Sequence, residues 1–234
     1  MWSSSFTDRL ALGALLAALS SASLAGAAPL DAGGDGSRVS LSVTSLQAAR
    51  FGATIRQSRD FSCGAAAVAT LLTYHLENPT SEDDAFDFMW EHGDAEEIRA
   101  QGFSLLDIRG FLASRGYSAD GFRISLGTLQ EAGVPAIALI TSEGYRHFVV
   151  VKGVREDHVV LGDPARGTRI VERAEFEASR DDVLFVVRSH TETSRAHFNE
   201  AVDWSRGPQA PLEQARRSRA LALDRLLRPR LNEF

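Results

Sequence analysis

One cysteine and a few polar residues are the side chains of this chain that could carry out covalent chemistry. Cys63 is the only cysteine, and it stands where the polar, turn-prone run 57–62 meets a long run of small and aliphatic residues. A thiol attacks as its thiolate, so it needs a base that titrates near neutral pH, which histidine supplies. It also needs a group that orients the imidazole, and hydrogen-bond donors for the oxyanion that develops on the attacked carbonyl.

His147, Asp163 and Gln57 are the candidate partners of this thiol. His147 opens a valine-rich run directly after a glycine and a tyrosine, and Asp163 closes the next apolar run, sixteen residues later. If the two runs pair as a hairpin, these two residues lie side by side at the same end of it. Gln57 precedes Cys63 by six residues, and its side-chain amide could point at the carbonyl under attack.

Each of these residues also has an ordinary structural interpretation. A lone cysteine beside alanines is usually a small buried hydrophobe, and Asp163 before a proline is typical of a turn. His147 at the start of a strand is more often a surface residue, and the other five histidines lack the spacing of a metal site. We interpret the acidic run 82–84 as a solvated helix start without functional weight. The combination of residues, rather than any single one, favours chemistry.

The residues that follow Cys63 predict the helix that must position it. Residues 64–74 contain no proline and are mostly small or aliphatic, which indicates a buried helix with Cys63 in its first turn. Ser62 or Asp60 is expected to cap this helix by accepting backbone N–H bonds. The N–H groups of a first turn and the helix dipole favour a negative charge, which a thiolate would supply.

Three further helices are predicted in the first part of the chain. One spans residues 82–91, after an asparagine–proline stop, and a short one spans 126–132. Between them, Ser104 opens a helix with Asp107 at the spacing of a capping box, and Gly116 stands where a left-handed residue ends a helix.

The second part of the chain predicts strands. Period-two alternation also predicts a strand at 39–43, but most apolar runs separated by short gaps come later, at residues 135–140, 147–151, 158–161, 169–171 and 183–187. Helices followed by strands indicate an α+β fold rather than alternating βαβ units. We therefore predict N-terminal helices packed on a C-terminal antiparallel sheet.

Composition and the termini limit the remaining possibilities. The 234 residues are 44% hydrophobic and 24% charged, which predicts one domain of moderate size with extensions. The net charge of −6 argues against nucleic acid as a partner, and no internal run is long and apolar enough to span a membrane. An apolar run at 10–24 followed by Ala25-Gly26-Ala27 predicts a signal peptide over 1–27, or a membrane anchor if it is not cleaved.

The rest of the chain divides into three predicted parts. Residues 28–38 form a linker, residues 39–189 form the catalytic domain, and residues 190–234 form a polar extension with a possible helix, for which leucines supply an apolar stripe. The predicted mature chain has one cysteine and therefore no internal disulfide.

The order and surroundings of the candidate residues resemble the bacteriocin-processing, double-glycine cysteine peptidase family, whose members are papain-like. The resemblance covers roughly residues 57–187 and rests on Gln57, on Ser62-Cys63-Gly64-Ala65-Ala66, on His147-Phe148-Val149-Val150 and on Gly162-Asp163-Pro164. It implies Cys63 as nucleophile, His147 as base and acid, Asp163 as the group that orients His147, and Gln57 as oxyanion donor. It implies no metal or cofactor. Ser62 departs from the aspartate that the family often has there.

The resemblance implies a cysteine peptidase that acts on a polypeptide. Many family members are domains of transporters with an ATPase, but this chain has no G-x-x-x-x-G-K phosphate loop and no transporter helices. We therefore expect a stand-alone, exported, periplasmic member that does not use ATP, with a substrate from a secretion or amyloid-export system by analogy alone. The alternatives are a transglutaminase- or amidase-like acyl transfer on the same residues, and a non-catalytic peptide-binding module, which typically lacks the cysteine.

Overall fold

A computed structural model describes residues 46–142 and 145–206 of the chain. The predicted signal peptide, linker and strand at 39–43, and the leucine stripe of the C-terminal extension, lie outside these residues. Among the residues described, no helix has the length and apolar character needed to cross a membrane.

Helices dominate the first part of the described chain. They are α1 (Leu46–Arg50), α2 (Cys63–His75), α3 (Glu82–His92), α4 (Ala95–Gln101) and α5 (Leu105–Ser114). The predicted helices at 64–74, 82–91 and after Ser104 are confirmed, and so is the capping box of Ser104 with Asp107. Gly116 follows α5 with a φ of 83°, in the left-handed region expected of it.

The second part of the chain builds one antiparallel sheet of six strands with short helices between them. The elements are β1 (Ala119–Arg123), α6 (Leu126–Ala132), β2 (Ala136–Ser142), β3 (Tyr145–Val154), β4 (His158–Asp163), β5 (Gly167–Glu172), α7 (Arg173–Ser179), β6 (Arg180–Val187), α8 (Thr191–Ala196) and α9 (Ala201–Arg206). The strand order is β1-β6-β2-β3-β4-β5, and every neighbouring pair is antiparallel. This architecture confirms the predicted α+β fold.

The sheet is buried on both faces, which explains why its central strands have continuous apolar sequences. In β3, Phe148 and Val150 pack into one cluster with α2, α3 and α5, whereas Val149 and Val151 pack into a second cluster with α6 and Phe176 of α7. A strand with only one buried face would instead alternate apolar and polar residues. Elements that lack such signals escaped prediction, among them β1, which is a mostly exposed edge strand, and α4 and α7, which have one buried residue each.

Helix α2 is the most deeply buried helix of the described chain. Residues 65–69 are small or β-branched and fully inaccessible to solvent. Gly64 lies so close to its neighbours that a Cβ atom there would stand 3.2 Å from the Cβ of Phe103 and 3.4 Å from the ring of Phe148. The small side chains of α2 therefore bring its first turn directly against β3, where His147 begins the buried part of the strand.

The segment after β6 is packed on the domain. Helix α8 contacts α2, and α9 contacts β5. Lys152 of β3 is buried and donates to Asp203 of α9 over 2.5 Å and to the carbonyl of Ala53 over 2.9 Å. These buried contacts argue against a domain limit at residue 189, and they place residues 191–204 in the folded unit.

Candidate active site

Cys63 is the first residue of α2 and is buried among the side chains of the core. The expected capping of this helix by Ser62 or Asp60 is wrong, because no side chain caps the α2 N-terminus. Ser62 Oγ instead donates to the carbonyl of Arg59 (2.9 Å) and accepts from the Arg59 N–H (3.1 Å), so it closes the preceding turn. The first N–H groups of α2 thus have no side-chain partner, and they and the helix dipole favour a negative charge at Cys63.

His147 and Asp163 lie side by side, as the hairpin interpretation predicts. The antiparallel pairing of β3 and β4 brings the start of β3, with His147, beside the end of β4, with Asp163. His147 Nε2 donates to Asp163 Oδ1 over 2.8 Å, and both side chains are buried. Because a carboxylate only accepts, this bond assigns the Nε2 proton. The Cys63 thiol adjoins the imidazole, and Nδ1 makes no hydrogen bond of regular geometry.

The Asp163 carboxylate accepts four hydrogen bonds from the described residues. Besides His147, its Oδ1 accepts from the N–H groups of Ala165 (2.9 Å) and Arg166 (3.2 Å), and its Oδ2 accepts from Arg169 Nε (3.0 Å). Asp163 therefore both forms the turn after β4 and fixes the imidazole, so the two interpretations of its sequence context are compatible. Arg169 is not among the residues predicted from the sequence. Its signal there is its diagonal position across the β4–β5 hairpin, where Asp163 pairs with Gly167.

The charges of this pair follow from its contacts. Burial lowers the pKa of His147, but the hydrogen bond to Asp163, the adjoining Cys63 thiol and the negative charge of Asp163 outweigh it and raise the pKa to about 9. Burial raises the pKa of Asp163, but the bond to His147 and the charges of His147 and Arg169 hold it below its ordinary value. The site therefore favours an imidazolium beside an aspartate at neutral pH.

Gln57 lies in the loop that leads into α2, next to the turn after Asp163. Its backbone N–H donates to the carbonyl of Pro164 over 3.0 Å. Its side-chain Nε2 donates to the carbonyl of Arg59 over 3.0 Å, while Oε1 is buried without a hydrogen-bond partner. Since the amide nitrogen carries two protons, one N–H of Gln57 remains for another acceptor.

The interpretation of the acidic run 82–84 as a solvated helix start is wrong for its first residue. Glu82 is only 8% exposed, and both of its carboxylate oxygens accept from the Ser58 N–H, at 2.9 and 3.0 Å. Asp83 is exposed, as expected, and Asp84 forms a capping box with Ser81. The sequence could not reveal the contact of Glu82, because it joins residues 24 positions apart.

Tyr145 is a further residue of the site that was not predicted from the sequence. Its ring lies 6.1 Å from the ring of His147, between centroids, and is half exposed. Its hydroxyl donates to the carbonyl of Asp60 over 2.6 Å, which ties the start of β3 to the loop before Cys63. In the described part of the chain, no cluster of three or more histidine, cysteine or acidic side chains could hold a metal ion.

Two curated relatives resemble the chain in sequence. It is 39% identical over 145 residues to the probable functional amyloid protease FapD of Pseudomonas aeruginosa, and the alignment covers 62% of this chain and 64% of the relative, just under two thirds of its length. It is 35% identical over 173 residues to the probable functional amyloid protease FapD of Pseudomonas fluorescens, covering 74% of this chain and 76% of the relative.

Two of the similar solved structures are a peptidase domain and a protease from transporters. The peptidase domain of Streptococcus ComA, a bifunctional ABC transporter of a quorum-sensing pathway, aligns with a TM-score of 0.49 at 17% identity, over 57% of this chain and 96% of that one. A double-glycine-motif protease from an AMS/PCAT transporter, solved with a leader peptide, aligns with a TM-score of 0.47 at 24% identity, over 57% and 89%.

The family model decides the assignment. The model of the Peptidase C39 family matches residues 53–192, which is more than half of the chain and includes both β3 and the first turn of α2. The predicted relation to the double-glycine cysteine peptidases is thereby confirmed. The chain belongs to the Peptidase C39 family and is a cysteine peptidase.

Proposed function

We propose that this cysteine peptidase is exported and cleaves a polypeptide through Cys63, His147 and Asp163, with Gln57 as a donor to the oxyanion. The observation that carries the proposal is the orientation of the His147 ring. Asp163 holds Nε2, whereas Nδ1 has no hydrogen-bond partner among the described residues, and the Cys63 thiol adjoins the ring. An imidazole fixed by a carboxylate on one side can exchange a proton with a thiol on the other.

In the first half of the reaction, the Cys63 thiolate attacks the scissile carbonyl carbon and forms a C–S bond. The oxygen becomes an oxyanion, which the N–H groups at the start of α2 and the second N–H of Gln57 stabilise. The intermediate then collapses, the C–N bond breaks, and the His147 imidazolium gives its proton to the leaving amine. The product of this half is a thioester between Cys63 and the N-terminal part of the substrate.

In the second half, His147 acts as a base toward water. It takes a proton as the water oxygen attacks the thioester carbonyl, the C–S bond breaks, and the thiolate of Cys63 is restored. Asp163 stabilises the positive charge that the ring carries in both halves, without itself taking the proton. The raised pKa of His147 supports this cycle, because the ring holds a proton at neutral pH while the thiolate attacks.

We further propose that the substrate belongs to an amyloid- or peptide-secretion system and that the enzyme works in the periplasm. The names of the two Pseudomonas relatives support the amyloid substrate. The apolar run 10–24 and the small residues after it support export. Intact-mass measurement after export tests this, since a cleaved signal predicts a mature chain that begins at Ala28 or Pro29. A chain that retains residues 1–27 would instead be membrane-anchored.

The peptidase proposal is tested by comparing new protein N-termini in the exported fraction of cells carrying the native chain or Cys63→Ala. Termini that the native enzyme generates should disappear with Cys63→Ala, and they should persist with the control His158→Ala, which changes an exposed histidine outside the site. Digestion of the identified substrate in H₂¹⁸O should place one heavy oxygen at the new C-terminus. Unchanged termini with Cys63→Ala would contradict the proposal, and incorporation of an added amine instead of heavy oxygen would indicate acyl transfer.

A further inference from the structure

We propose that Glu82 is a positioning residue that fixes the direction of the Gln57 side chain, an inference that rests on the function proposed above. Glu82 contacts neither Cys63 nor His147 in any hydrogen bond. Its carboxylate instead binds the N–H of Ser58, the residue directly after Gln57.

The backbone on both sides of Gln57 is anchored by these contacts. On one side, the Gln57 N–H donates to the carbonyl of Pro164, next to Asp163. On the other side, the Ser58 N–H belongs to the peptide bond that leaves Gln57, and the Glu82 carboxylate fixes that peptide plane. Two anchored peptide units leave the Cα–Cβ bond of Gln57 little freedom. Pro164 and Glu82 together therefore set the direction in which the side chain leaves the backbone, from which its amide reaches the carbonyl of Arg59.

The Glu82 anchor is rigid because its side chain is buried at the start of a helix whose following turns pack in the core. Glu82 is the first residue of α3, where the helix dipole favours a carboxylate. Ala85, Phe86 and Met89 fix the following turns of α3 in the core beside α2. A hydrogen bond to a charged, buried acceptor is about twice as strong as a neutral one. Its geometry is thus set by the packing of α3 and not by the loop.

The neighbouring ion pair between Arg59 and Asp83 differs in this respect. It joins the same loop to the same helix over 3.2 Å, but both side chains are substantially exposed to solvent. Exposed ion pairs contribute little to the geometry or the stability of a protein. Asp83→Ala is therefore the matched control, since it removes one carboxylate from the same helical turn and leaves the Ser58 anchor intact.

Two reactions of Cys63 separate the orientation of Gln57 from the state of the thiol. Alkylation by iodoacetamide forms a C–S bond and releases iodide without an oxyanion, so it reports only the thiolate. Acylation by p-nitrophenyl acetate forms a thioester, releases p-nitrophenolate and passes through an oxyanion, so it also reports the donors. Both rates are measured on the full chain for Gln57→Ala, Glu82→Ala, Glu82→Gln, Asp83→Ala and the double variant Gln57→Ala/Glu82→Ala.

We expect the Glu82 and Gln57 variants to lower the rate of acylation and to leave the rate of alkylation unchanged. Glu82→Ala should slow acylation by about 10- to 100-fold through misplacement of the donor, and Gln57→Ala by about 100-fold. Glu82→Gln should recover most of the rate, because its amide oxygen can still accept from Ser58. The double variant should be no slower than Gln57→Ala, since Glu82 acts only through Gln57. Alkylation rates, and acylation by Asp83→Ala, should match the native chain.

Three results would overturn the inference, each in a recognisable way. If Gln57→Ala slows acylation and Glu82→Ala does not, Glu82 is not a positioning residue, and the proposed function stands. If Glu82→Ala slows alkylation and acylation equally, Glu82 holds the whole site together instead. If Gln57→Ala itself acylates at the native rate, Gln57 is not a donor and the proposed function fails at that point. Should Glu82→Ala not fold, Glu82→Asp makes the same test, because its shorter carboxylate keeps the charge but withdraws from Ser58.

Discussion

Replacing Asp163 by asparagine should lower the pKa of His147 while leaving the turn after β4 in place. Asparagine has the same shape, and its side-chain oxygen can still accept from His147 Nε2 and from the N–H groups of Ala165 and Arg166. The variant loses the negative charge, however. The NH₂ group of asparagine also replaces the carboxylate oxygen that accepts from Arg169, so this hydrogen bond is lost. Burial lowers the pKa of His147, and in the variant the loss of the Asp163 charge removes part of the effect that raises it.

The size of the effect follows from the native value. A pKa of about 9 in place of the ordinary 6.5 corresponds to about 3 kcal/mol in favour of the imidazolium. Because the pKa of His147 is raised by folding, this stabilisation is complete below pH 6.5 and is lost as the pH rises through about 9. The free energy of unfolding of the native chain should therefore fall between pH 6 and pH 9.5 by up to about 3 kcal/mol from this group, and that of Asp163→Asn by much less.

Two measurements check this reasoning. Titration of the His147 ring protons by NMR should give a midpoint near 9 in the native chain and a clearly lower one in Asp163→Asn. Urea unfolding at pH 6 and pH 9.5 gives the change in free energy, with His158→Ala as a control for an exposed histidine. A native midpoint near 6.5, or the same pH dependence in both chains, would refute the electrostatic account of the pair.

Three further outcomes are expected. Gln57→Ala should lower kcat for peptide cleavage by about 100-fold with little change in Tm, and an unchanged kcat would remove Gln57 from the site. His147→Ala should slow the alkylation of Cys63 by iodoacetamide at pH 6, because the cation beside the thiol is lost; an equal rate would mean that His147 does not activate Cys63. Asp203→Ala should lower the free energy of unfolding by about 3–5 kcal/mol, measured by urea unfolding, because it breaks a buried ion pair with Lys152; a loss below about 1 kcal/mol would show that the pair is not required.

The sequence predicts best what local physics decides. The α2 helix, the capping box of Ser104 and the left-handed Gly116 depend on neighbours within a few residues, and all three are confirmed. The side-by-side placement of His147 and Asp163 was also within reach, since a hairpin fixes which residues share an end once its two strands are identified.

The contacts that were not predicted from the sequence, or were predicted wrongly, depend on tertiary packing. Ser62 is a good capping residue by type, yet its hydroxyl is used by the turn at Arg59, because the chain bends sharply before α2. The sequence around Glu82 predicts a solvated carboxylate, yet the first turn of α3 lies against the loop before Cys63 and Glu82 accepts a hydrogen bond from that loop. In both cases the side chain does bind a backbone group, as residues of its type prefer to do. The tertiary structure decides which backbone group that is.

Lys152 shows how a residue that conflicts with its local pattern can report a distant contact. It interrupts a run of buried valines in β3, and its side chain is 1% exposed. Such a charge is costly unless it is paired, so its presence requires a carboxylate supplied from another part of the chain. One carboxylate that pairs with it, that of Asp203, lies 51 positions later in α9, and Trp204 beside Asp203 is buried under the Arg155 guanidinium. Helix α9 therefore supplies a buried charge partner to β3, the strand that carries His147, and the folded unit with the active site extends through α9.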